Sequence, residues 1–132
     1  MNLLQSKTTA SLLLVATLVG GGTLVTASFN PKPAQAAQNV ACNCVLFARS
    51  RVPSLPYGLG TLASKRRIIN SYSPTVGAVA VMAVGSYGHV GVVTSVNGNG
   101  TITVDESNYR SCQFGTRTGT PANLRVLGYF KP

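Results

Sequence analysis

Residues Gly88–Tyr109 read "GHVGVVTSVNGNGTITVDESNY", and this stretch decides the fold because it spells out a pair of strands. From His89 to Val96 it is β-branched and apolar, from Thr101 to Asn108 it continues in the same vein, and "NGNG" lies between. Asn-Gly is the strongest short-range hairpin signal, since both residues tolerate positive φ. Two antiparallel strands joined by a tight two-residue turn are therefore expected. The turn can be Asn97-Gly98, Gly98-Asn99 or Asn99-Gly100, and these registers differ by steps of two residues. The facing of the side chains is the same in each.

The hairpin also holds the single histidine of the chain, His89, and its only two acids, Asp105 and Glu106, against eleven Lys and Arg. With Gly98-Asn99 as the loop, Val96 faces Thr101, His89 faces Asn108 and Gly91 faces Glu106. With Asn97-Gly98, His89 comes opposite Glu106 itself. In every two-residue register Glu106 and Asn108 share the face of His89, while Asp105 and Ser107 point to the other side. A three-residue loop with a bulge would exchange the two acids. Glu106 is thus expected where a carboxylate can accept the imidazole N–H, fix its tautomer and stabilise the imidazolium. Asn108 is a neutral alternative for the same task.

Working outward toward the N-terminus, Lys7 precedes an apolar run from Leu12 to Val19, continued without charge to Val25. The small residues of "AQAA" at Ala34 to Ala37 follow at the offsets a signal peptidase uses. A signal peptide over 1–36, cut after Ala36, and one mature domain over 37–132 are the expected organisation. The run is too short and glycine-broken to span a bilayer comfortably, so no stable membrane anchor is expected once the leader is removed. Nothing in the chain repeats.

Export makes disulfides plausible, and three cysteines cannot all pair within one chain. Cys42 and Cys44 are separated by one residue, too short for an unstrained bridge, which leaves Cys112 to pair with one of them. Cys44 leads into "VLFARSR", a helix start with Val45 or Phe47 turned inward. Aligned N–H dipoles at a helix N-terminus favour a thiolate. Cys44 is therefore the candidate nucleophile and Cys42–Cys112 the candidate staple. A Cys3His zinc site from Cys42, Cys44, Cys112 and His89 has the right ligand count but not the usual spacing of paired ligands. No metal and no organic cofactor are expected.

A formal net charge of +9 favours an anionic partner. Lys65, Arg66 and Arg67, with Arg49 and Arg51, are candidates for attracting a wall polymer, or form an ordinary solvated basic face. The basic residues lack interleaved aromatics and a recognised nucleic-acid-binding motif, so nucleic acid is not the expected partner. A hydrophobic content of 45% with 14 Gly and 7 Pro describes a turn-rich globular domain, not a disordered polyelectrolyte.

A free helix-start thiol, a lone histidine and a carboxylate on its face together fit a thiol hydrolase better than three unrelated accidents. "NCVLFARSR", then "PTVGAVAVM", then the hairpin, resemble the CHAP domain, the cysteine- and histidine-dependent amidohydrolase/peptidase family of the papain-like NlpC/P60 superfamily. The resemblance runs over roughly Cys42 to Tyr109. It implies Cys44 as nucleophile, His89 as base, and Glu106 and Asn108 as the E-x-N that follows the histidine strand. Asn43 stands where the family usually has Gln, and Leu46 where an aromatic is usual. NlpC/P60 relatives normally carry Ser-Gly after the cysteine and often a second histidine, which this chain lacks.

The fold implied is α+β and papain-like, an N-terminal helix carrying the nucleophile packed on a small antiparallel sheet that includes "GAVAVMAV", the hairpin and "RVLGYF". The activity implied is cleavage of amide bonds in bacterial peptidoglycan, as an endopeptidase or an N-acetylmuramoyl-L-alanine amidase, with an oxyanion met by the Cys44 N–H and the Asn43 side chain. The expected form is a monomer, secreted, periplasmic or cell-wall associated. The alternative is a non-catalytic secreted module that binds an anionic wall polymer on the same scaffold.

Overall fold

The computed structural model describes residues 33–132. Most of the expected leader, residues 1–32, lies outside the described residues, and the expected cut after Ala36 falls within the first helix. Among the described residues three helices, α1 (Pro33–Ala41), α2 (Cys44–Arg51) and α3 (Leu62–Arg67), precede five strands. The strands are β1 (Val79–Met82), β2 (His89–Val96), β3 (Ile102–Ser107), β4 (Phe114–Gly119) and β5 (Val126–Phe130). They form one antiparallel sheet in the order β4-β3-β2-β1-β5. The architecture is α+β, with the helix that carries Cys44 laid on the sheet. Among the described residues no helix is long and apolar enough to cross a membrane.

Strand periodicity explains both layers of the core. Val79, Val81, Val90 and Val92 point toward the helices and pack with Phe47 and Ala48 of α2 and with Val52, Leu55 and Leu59 beyond it. Ala80, Met82, Val93, Ile102 and Val104 point the other way and pack with Tyr129 and Leu124. Each fully buried valine contributes about 1.5–3 kcal/mol relative to exposure.

The hairpin differs from expectation at its tip and agrees with it at its base. Val96 pairs with Ile102, and the Asn97 N–H donates to the Thr101 carbonyl at 2.8 Å, so the loop is the three residues Gly98 to Gly100. Gly100 sits at φ +81°, where a side chain would be strained. Alone, that odd loop would have turned Asp105 onto the histidine face. The register shifts again between Val93 and Ser95, with Thr94 as the extra residue, and from there Val93 pairs with Val104 and Val92 with Asp105. The two irregularities cancel. Continued toward the base, this register sets Gly91 across from Glu106, as in the Gly98-Asn99 register.

Candidate active site

The site begins with the cap of α2. Asn43 is extended (φ −143°, ψ 105°), and its Oδ1 accepts the N–H groups of Val45 at 3.0 Å and Leu46 at 3.1 Å. A helix leaves its first N–H groups without intrahelical partners. With Val45 and Leu46 taken by the cap, the N–H of Cys44 remains as a donor at the helix mouth. The Asn43 carboxamide oxygen is thereby committed, and its amide nitrogen is the part of that side chain left to meet an oxyanion.

Three tethers tie the residues before Cys44 to the end of β3. Cys42 is joined to Cys112 by a disulfide. The Ser107 hydroxyl donates to the Val40 carbonyl at 2.9 Å, and the Asn108 amide donates to the Cys42 carbonyl at 2.7 Å. Asn108, expected as a neutral partner of the imidazole, thus braces the helix start instead. It lies at φ +56°, beyond the last residue of β3, where the chain has left the strand's alternation. Two of the four ligands of the alternative zinc set, Cys42 and Cys112, are spent on each other.

Cys44 carries the free thiol, half-buried beside His89. His89, 4% exposed, opens β2, and its Nε2 is 2.9 Å from Oε2 of Glu106, itself 2% exposed. Gly115 on β4 pairs with Glu106, and the continued register sets Gly91 of β2 across from it on the other flank, so neither directly opposite residue carries a side chain and diagonal neighbours can reach the carboxylate. One diagonal neighbour is His89. The other is Arg117 of β4, whose guanidinium grips Glu106 with two donors, Nε to Oε1 and Nη2 to Oε2, the latter at 2.8 Å. The ring of Tyr109 lies 3.6 Å from the Arg117 guanidinium carbon and 5.8 Å from the His89 ring, roofing both.

The charge balance follows from these neighbours. Burial alone would push the Cys44 thiol up, but the hydrogen bond and charge of His89, the Val90 backbone and the Lys65 charge together hold it below its ordinary value. Burial would lower His89, and its hydrogen bonds to Cys44 and Glu106 raise it instead. Burial would raise Glu106, and the bonds from His89 and Arg117 hold it down. The bond to Glu106 raises Arg117 further. With Nε2 turned to Glu106, Nδ1 is the nitrogen left for the thiol. The shifts of Cys44, His89 and Glu106 favour a thiolate beside an imidazolium backed by a carboxylate.

An open groove of about 520 Å³ runs over Cys44 and His89, walled by Asn43, Leu46, Lys65, Tyr87, Asn108 and Tyr109. Two of its cations were not legible as such. Lys65, expected in a basic face, is only 3% exposed and donates to the Tyr87 carbonyl at 2.9 Å. Arg49 is half-buried, bonded to the carbonyls of Leu55 (3.2 Å) and Pro56 (2.6 Å) and stacked on Tyr57. Arg51, Arg66 and Arg67 remain exposed. Arg117 was also missed, and the usable signal for it was chemical: a carboxylate buried beside a histidine calls for a second cation, though nothing local says which of the chain's basic residues supplies it.

Comparison with known proteins gives a consistent picture. The profile of the CHAP domain matches residues 35–108. The chain is 43% identical over 77 residues to the probable autolysin LDP of Staphylococcus aureus, an alignment covering 51% of this chain and 28% of that protein. The crystal structure of an N-acetylmuramoyl-L-alanine amidase from Staphylococcus aureus superposes with a TM-score of 0.53 at 24% identity, covering 66% of this chain and 31% of that one. The chain spans less than a third of the length of either relative.

Proposed function

This chain belongs to the CHAP domain family, and we propose that it is a secreted, thiol-dependent hydrolase that cuts amide bonds in bacterial peptidoglycan. The observation that carries the proposal is a line of three groups: a free thiol at the first turn of α2 and the imidazole beside it, both facing one groove, and the buried Glu106 carboxylate 2.9 Å behind that imidazole. The likeness to an autolysin and to an amidase fold supports the substrate class.

In this reading Cys44 is held as a thiolate beside the protonated His89. The thiolate attacks the carbonyl carbon of the scissile amide, and the developing oxyanion is met by the Cys44 N–H with the Asn43 amide nitrogen as second donor. His89 gives its proton to the leaving amine, and a thioester remains. His89 then takes a proton from water, the hydroxide attacks the thioester, and Cys44 leaves as thiolate. Glu106, itself gripped by Arg117, keeps the imidazole in one orientation and favours its charged form. Both halves use the same two side chains, so no further acid or base is needed. Export by a leader over 1–36, action as a monomer and attraction of the basic domain to anionic wall polymer complete the proposal.

The test is to digest purified peptidoglycan with the unaltered protein and with Cys44→Ala, and to identify the fragments by mass spectrometry. New free amines with the unaltered protein alone are expected, and their position distinguishes an endopeptidase from an N-acetylmuramoyl-L-alanine amidase. Equal release by both proteins, or none by either, would overturn the proposal.

A further inference from the structure

The chain has two acidic side chains, and it buries a lysine away from both. Glu106 is taken by His89 and Arg117, and Asp105 accepts from the Thr116 hydroxyl at 2.8 Å. Among the described residues Lys65 makes no ion pair with either acid. A buried ammonium is unfavourable unless it is hydrogen-bonded or faces an opposite charge, and Lys65 has the Tyr87 carbonyl but no carboxylate. The groove it lines holds one group able to become an anion at moderate pH, the thiol of Cys44; burial holds the Lys65 amine below its ordinary value, and the charge on Cys44 works against that.

The mounting of Lys65 points to the same place. Thr61 and Ser64 close a reciprocal capping box at the start of α3, which fixes that short helix. Leu62 and Lys65, three apart, lie on one side of it. Gly88 has φ +68°, and a Cβ there would stand 2.7 Å from Leu62 Cδ1, so Leu62 is pressed against the backbone of the residue before His89. Lys65 holds the carbonyl one residue earlier, at Tyr87. Two contacts from α3 thus grip the backbone that enters the histidine strand.

We propose that Lys65 is a positioning residue of the hydrolytic site: it pins the Tyr87 carbonyl, and with it the approach to His89, and it supplies the counter-charge that keeps Cys44 a thiolate before substrate arrives. The inference rests on the reading of Cys44 as nucleophile. The resting thiolate then shares its groove with two cations, His89 from β2 and Lys65 from α3, while Arg49 of α2 lines the same groove with its guanidinium committed to backbone carbonyls. Glu106 and Arg117 act on Cys44 only through His89, and Tyr87 and Tyr109 are the remaining titratable groups around the groove.

The experiment measures the rate at which neutral iodoacetamide alkylates Cys44 as a function of pH in the full chain, read by mass spectrometry, with thermal unfolding followed in parallel. Lys65→Gln keeps a donor for the Tyr87 carbonyl but not the charge, and its alkylation is expected to be about tenfold slower at about pH 6. Lys65→Arg keeps both and is expected to retain the original profile. Lys65→Met, which keeps the apolar stem and loses both, is read in place of Lys65→Gln if the latter does not fold. An uncharged variant whose profile superposes on that of the unaltered protein overturns the inference, as does a Lys65→Arg profile displaced as far as that of Lys65→Gln. An ordinary, slow thiol in the unaltered protein overturns the nucleophile assignment itself, whereas a fast thiol in both proteins overturns only the role of Lys65.

Discussion

Nε2 of His89 and Oε2 of Glu106 stand 2.9 Å apart, each almost fully buried, on adjacent strands whose register shifts at Thr94. The contact is diagonal: Glu106 faces glycines on both sides, Gly91 and Gly115, and takes its partners from the next positions along, His89 and Arg117. A carboxylate so enclosed is oriented by its neighbours and not by solvent, and it transmits that orientation to the ring. The consequences are measurable.

Glu106→Gln keeps the shape and loses the charge. Amide hydrolysis is expected to fall by about 10²–10⁴-fold, the usual range for a disabled acid–base group. The protonation midpoint of His89, followed by NMR of the ring protons, should drop from its raised position.

The same pair makes stability depend on pH. Glu106 is depressed from 4.5, so its contribution is present above that value and lost as pH falls through its lower folded-state value. His89 is raised from 6.5, so its contribution is complete below that value and lost as pH rises through its higher folded-state value. The stability lost on Glu106→Gln should therefore be greatest between 4.5 and 6.5 and shrink on either side, as read by urea midpoints across pH.

Arg117→Met leaves Glu106 with one cation instead of two. A loss of about 2 kcal/mol in urea unfolding is expected, in line with hydrogen bonds to charged groups. Hydrolysis should fall with it, because the carboxylate is free to swing. Arg117→Lys restores a charge but not the two-pronged grip, and should recover part of the stability.

Asn43 separates cap from chemistry. Asn43→Ala removes the side chain that accepts from Val45 and Leu46 and should cost about 1 kcal/mol. Asn43→Asp keeps the cap and its stability, yet sets a negative charge beside Cys44. Its thiol should alkylate more slowly than that of the unaltered protein, and its hydrolysis should fall although its unfolding midpoint does not.

The disulfide closes a separation of 70 residues, and reducing it, or replacing Cys112 with Ser, should lower stability by about 4 kcal/mol. The Ser107 and Asn108 bonds to the residues before Cys44 remain. Thermal unfolding with and without reductant measures the loss, and activity at temperatures well below the transition is expected to survive in part.

Local spacing was enough to read the hairpin, the shared face of His89 and Glu106, the helix start at Cys44 and the pairing of Cys42 with Cys112. Each of these depends on residues near one another in the chain, or on counting a scarce residue type. The face shared by His89 and Glu106 came through a misread loop, because the bulge at Thr94 restores the parity that the three-residue turn removes. Three features were decided only when the chain closed on itself. Strand β4, "FGTRTG", has no apolar alternation and exists by pairing along β3, so Arg117 had no visible place until that edge was added. Lys65 reads as one of three adjacent basic residues, and its burial follows from α3 lying against the loop before His89. Asn108 shares its parity with Glu106 in the sequence, but its left-handed backbone turns it away from the strand and toward Cys42. The Asn43 oxygen, by contrast, serves the helix through a local contact, accepting N–H groups two and three residues further on. Periodicity carries information over a few residues, whereas ion pairs between strands and the burial of a charge depend on which distant surfaces meet.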